Sequence, residues 1–112
     1  MLNAVNSASS ALRAYTEVIN TTAHNVANIN TEGYTPQRVH LSEARGGGVK
    51  ATAESIRNPA EVRQDAYISE KNSVNYAAEA ANQITSLRSF QANTGVIRTA
   101  DEMLGTLINT TV

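Results

Sequence analysis

The stretch NVANINTEGYTPQRVHL, residues 25–41, is where this chain changes character. Before it, apolar residues recur at helical steps; after it, they alternate. Val5, Ala8, Leu12, Tyr15, Ile19, Thr22, Val26 and Ile29 follow one another at steps of three and four, the heptad spacing of a helix that packs against another helix. Gly33 falls just past the last of them, where a left-handed helix end favours glycine, and Pro36 forbids continuation. The spacing predicts a first helix over about Asn3–Thr31, roughly 40 Å long at ~1.5 Å per residue.

Beyond Pro36 the period drops to two. QRVHL sets Val39 and Leu41 on one side, and GVKATAESI repeats the alternation through Val49, Ala51, Ala53 and Ile56, with Gly46–Gly48 between the runs. This reads as a β-hairpin with a flexible tip, which needs a helix or another subunit to lean on. Asn58 and Glu61 flank Pro59 as a capping box would, predicting a short helix over about 59–70.

The helical pattern returns from Asn72 to Ile108, through Val74, Ala77, Ala81, Ile84, Leu87, Phe90, Ile97, Ala100, Leu104 and Leu107. Its phase shifts between Ile84 and Phe90, and Gly95 inside it costs about 1 kcal/mol relative to alanine unless a neighbour packs closely there. The expected fold is mainly α with a small β-hairpin: two long terminal helices packed as a helical hairpin or coiled coil, with a short β insert between them. One domain is expected over 1–112, divided into a helix at 1–32, a hairpin and linker at 33–71, and a helix at 72–109. Val5, Leu12, Tyr15, Ile19, Val26 and Ile29 are expected to face Ile84, Leu87, Phe90, Ile97, Leu104 and Leu107, within the chain or between subunits.

Charge sharpens the reading. Across residues 1–31 the full charges are Arg13 and Glu17, and between Glu79 and Arg98 the one charge is Arg88. Helices built to meet water carry more. Either these helices are poorly ordered alone, or partners cover several of their faces. Leu, Ile, Val and Phe make up only about a fifth of the 112 residues, so the monomer is expected to be marginal. A net charge of -1 gives no pull toward nucleic acid. No cysteine is present, no apolar run is long enough to span a membrane, and the amino end carries no visible cleaved secretory signal.

Little points to chemistry. His24 and His40 have no ligand-like neighbours, so neither a metal nor any other cofactor is expected. No serine sits in a nucleophile elbow, and RGGGVK lacks the spacing of a phosphate loop. An enzyme is not expected. The asparagines differ. Asn25, Asn28 and Asn30, with Asn93 in the second helix, either cap helix ends and face water or hydrogen-bond a neighbouring chain in an uncharged interface.

Asn25, Ala27, Asn28, Asn30, Thr31, Gly33 and Tyr34 resemble, position by position, the amino-terminal signature of the bacterial flagellar axial proteins, the family of rod, hook and hook-associated subunits. Glu32 stands where that signature usually has proline. LRSFQANTGVIRTADEMLGTLI, residues 87–108, is similar to the family's carboxy-terminal helix, with Phe90, Ala92, Asn93 and the run Thr99–Leu104. The insert of about 40 residues is small for the family, and its size is closest to the small proximal-rod class.

The resemblance implies a structural subunit of the flagellar basal-body rod. It implies self-assembly through both terminal helices, with this chain and other axial proteins as partners, and location in the periplasmic rod. It also implies delivery through the flagellar type III export apparatus without a cleaved signal peptide. The asparagine cluster would end the inner helix and fix its turn into the hairpin, with bonds to a neighbouring subunit. The alternative is a soluble helical adaptor or regulator of flagellar export that does not polymerise.

Overall fold

The structure, a computed structural model, describes residues 2–56 and 73–110. It contains α1 (Leu2–Ala27), β1 (Gln37–Glu43), β2 (Val49–Ser55) and α2 (Tyr76–Thr110). The chain is mainly helical, with α1 and α2 packed as a helical hairpin and an antiparallel β-hairpin between them in sequence. The helix expected over about 59–70 lies outside the described residues.

The first helix stops at Ala27, four residues short of its expected end at Thr31. Asn28 is the reason: its Nδ2 donates to the His24 carbonyl at 2.9 Å, and its Oδ1 accepts from the Thr31 hydroxyl at 3.1 Å. The backbone then winds tighter, with Ile29 N donating to Val26 O and Thr31 N to Asn28 O. Side-chain amides that compete for backbone groups end helices in this way. Gly33 follows at φ 71, the left-handed value expected of it. The second helix starts at Tyr76 because Asn75 caps it, its Oδ1 accepting from Ala78 N at 3.2 Å. Val74 therefore precedes the helix.

Within the chain, the seam between the helices differs from the expected stripe. The residues buried on α1 are Ala8, Ala11, Ala14, Thr21, Thr22 and Asn25; those on α2 are Glu79, Ser86 and Ala100. Of the expected stripe only Ala8 and Thr22 are buried on α1, while Val5, Leu12, Tyr15, Ile19, Val26 and Ile29 sit half-buried along its margin. On α2, Phe90, Asn93 and Ile97 are half-buried, whereas Ile84, Leu87, Leu104 and Leu107 are exposed. The seam face is rotated by about one residue from the bulky one. Alanine and serine let two backbones approach at the near end of the usual 8–10 Å interaxial range, so the small residues take the centre.

The β-hairpin lies along α1. Val39 pairs with Ala53 and Leu41 with Ala51, so the apolar positions share one face as their alternation predicted. At the tip, Ser10 Oγ donates to Ser7 O at 2.7 Å and accepts from Val49 N at 3.0 Å. Gly46, Gly47 and Gly48 all have φ between 94 and 98. A side chain is strained at such values, and at Gly48 it would also meet Ser10. Gly95 has open space beside it, so no close neighbour within the described chain accounts for it.

Gly46→Ala and Gly48→Ala both force a Cβ into left-handed backbone, at about 1–2 kcal/mol each. Gly48→Ala adds a collision with Ser10 Oγ and should cost about 1–3 kcal/mol more. Urea unfolding of the two variants side by side tests this, and equal losses would mean the tip does not rest on α1.

Candidate functional site

Asn25 is the most buried side chain described, at 1% exposure, and it lies where α1, β1 and α2 meet. Its amide has two donors and two acceptor positions. All four are used. Nδ2 donates to the Gln37 carbonyl at 2.7 Å and to Glu79 Oε1 at 3.2 Å. Oδ1 accepts from the Tyr34 hydroxyl and from Gln37 N, both at 3.0 Å. With Gln37 the amide forms a closed pair of bonds, N–H to O in each direction, as a residue on a neighbouring strand would. The helix thus supplies one further rung to the hairpin, beside the rung that Ile56 N makes to Pro36 O.

Glu79 is 6% exposed, in the first turn of α2. Its carboxylate is held by the Asn25 amide and by the positive end of the α2 dipole. Among the described residues no lysine or arginine forms an ion pair with it. Burial first, and then the negative charge of Glu79, raise the Tyr34 phenol above its ordinary value. The neutral phenol is the form that can donate to Asn25 Oδ1, so the shift and the hydrogen bond agree.

The other motif residues serve the turn. Ala27 closes α1, Asn28 and Thr31 bond each other, Gly33 supplies the left-handed step, and Asn30 is exposed. The asparagines were expected either to face water or to bond a neighbouring chain. For Asn25 both expectations are corrected: it is buried, and its four bonds stay within the chain. Asn93 donates to Ser89 O in its own helix at 2.8 Å. The part sequence reasoning missed is Glu79, whose signal was a lone carboxylate at the start of a charge-poor helix.

His24 and His40 stand apart. His40 lies 3.5 Å from Glu54 on the exposed hairpin, a contact of little energetic weight. No three His, Asp or Glu side chains come together as a metal site among the described residues. No described helix is long and apolar enough to cross a membrane. The junction can join three elements and fix their register; it holds no arrangement of nucleophile, base and oxyanion donors.

Two family models match the chain, one at each end. Residues 5–35 match "Flagella basal body rod protein", and residues 66–110 match "Flagellar basal body rod FlgEFG protein C-terminal". Together they cover more than half of the 112 residues. No curated protein matches it significantly.

Asn25→Ala strands the Gln37 backbone and a buried carboxylate, and should cost about 2–3 kcal/mol in urea unfolding. Asn25→Asp should do at least as much damage, because it loses both donors and sets a second carboxylate beside Glu79. Tyr34→Phe should cost about 1 kcal/mol at pH 7. Because the folded value of Tyr34 is raised, its contribution is whole below about pH 10 and is lost as pH climbs through the raised value. The gap between wild type and Tyr34→Phe should therefore narrow above pH 10; a constant gap would mean that the phenol does not ionise differently on folding.

Proposed function

The chain belongs to the bacterial flagellar basal-body rod family, and we propose that it is a rod subunit that self-assembles through its two terminal helices. The observation that carries this reading is surface. A compact monomer of 12.0 kDa exposes roughly 6,000 Å². This chain exposes 8580 Å², and its 19.6 Å radius of gyration compares with about 13 Å for a compact domain of its length. The excess surface exceeds the ~1,600 Å² of a standard protein interface. Much of it is apolar and uncharged, including Leu2 at 75% and Ile84 at 63% exposure. Neighbouring subunits are the cover such a surface needs.

On this reading the bulky residues at the seam's margins and beyond it, Val5, Leu12, Tyr15, Ile19, Val26, Ile29, Ile84, Leu87, Leu104 and Leu107, meet other subunits: further copies and other axial proteins. The thin alanine core makes unfolding easy, which suits passage through the flagellar export apparatus before assembly in the periplasmic rod. The role is structural, not catalytic.

Deleting the gene and locating an epitope-tagged copy tests the reading. Loss of flagella, with the tagged chain in purified rods, is expected. Intact flagella with the chain left in the cytoplasm would hand the function to a non-polymerising export adaptor. Leu12→Asp and Leu104→Asp should each remove the chain from rods while leaving its helix content, by circular dichroism, within about a tenth of the parent's.

A further inference from the structure

The seam face of α2 recurs every seven residues at Glu79, Ser86, Asn93 and Ala100, with Phe90 and Ile97 between. Leu104, seven past Ile97, continues that face. As far as Ala100 these side chains are buried or half-buried; Leu104 is 41% exposed and Met103 beside it 46%. Geometry explains the change. With Asn25 against Glu79, α1 runs back to Leu2 over the distance that α2 needs to reach Glu102. Met103–Thr110 then extends about 12 Å beyond α1. Every residue of this tail is exposed, and none carries a charge.

Nearer the junction there is a groove of about 330 Å³. Tyr15 and Val18 of α1 form its floor, Val39 and Leu41 of β1 one wall, and Thr85 and Ser86 of α2 the other. We propose that in the assembled state the α2 tail of one copy, led by Met103 and Leu104, seats in this groove of the next copy. This rests on the rod reading above and adds the contact that joins copies.

A second copy is the occupant for three reasons. The tail prolongs the face that already packs on α1, so it fits a surface that α1 also builds. The tail cannot reach its own groove, because Ser86 and Leu104 lie about 27 Å apart along one continuous helix. The tail is neutral, and Tyr15, Val18, Val39 and Leu41 offer it apolar contact, while Arg38 and Glu79, which also line the groove, are one basic and one acidic residue and give it no net charge preference. Tail in groove is a head-to-tail contact, which propagates into a filament unless its rotation closes a ring; tail against tail would stop at a dimer. Successive copies would be offset by about 27 Å along the helix axis.

The chain has no cysteine, so an introduced pair reports one contact. Leu41→Cys with Leu104→Cys, both at exposed positions, is produced in the host, and isolated rods are oxidised. A ladder of disulfide-linked multimers is expected on a non-reducing gel, with neither single variant exceeding a dimer. Rods that contain the double variant but give no ladder would overturn the contact and leave the rod reading intact. Absence of the unsubstituted parent from rods would overturn both. Should the double variant fail to enter rods, a charge pair decides: Leu104→Lys alone is excluded, and adding Leu41→Glu restores it. No restoration overturns the proposal.

Discussion

The structure depends on one side-chain amide. Asn25 is the meeting point of three elements, and each of its four hydrogen-bonding positions is filled by a different group of the chain. Alanine could not join them, and aspartate would lack the donors. An amide of this length is the residue that can complete a strand rung with Gln37, accept from Tyr34 and donate to Glu79 at once. The junction matters because the rest of the seam is undemanding. Ala8, Ala11, Ala14 and Ala100 are small and alike, and a row of small residues discriminates poorly between one helix register and the next. A buried polar contact discriminates strongly, since a slip leaves its groups unsatisfied.

Two consequences follow from that register. The hairpin is held at both ends, by Asn25 at Gln37 and by Ser10 at Val49. Fifteen helix residues cover about 22 Å and six strand steps about 20 Å, so helix and hairpin are matched in length between their two fastenings. The second consequence is the α2 tail. Its length is the difference between two helices aligned at Asn25 and Glu79, so the contact at one end of the molecule sets what projects from the other.

The energetic character is that of a part rather than a whole. Apart from Pro36, the described side chains that are fully buried and apolar are all alanine, while leucines and isoleucines are half-buried or exposed. Burial of an alanine removes little apolar area from water, so the lone chain gains little from its core. The apolar surface left outside, with few charges beside it, is the condition under which association adds most. The basal-body rod family models that match at both ends agree with this physics, which does not depend on them.

Much was legible without the fold. Heptad spacing announced both helices, period two announced the hairpin, Gly33 and Pro36 marked the stop, and the two terminal motifs pointed to the family. All of these are local, governed by neighbours within a few residues along the chain. What the tertiary structure decided was the face each helix turns inward and the partners of Asn25. Leu12 and Ala11 sit on adjacent positions, and spacing alone favours the bulky stripe; close approach of the backbones favoured the small one and left leucine at the margin. Gln37 and Glu79 are 12 and 54 residues from Asn25, and no periodicity reaches that far. A side chain's local pattern is written in sequence, but the groups that satisfy a buried amide are chosen by packing.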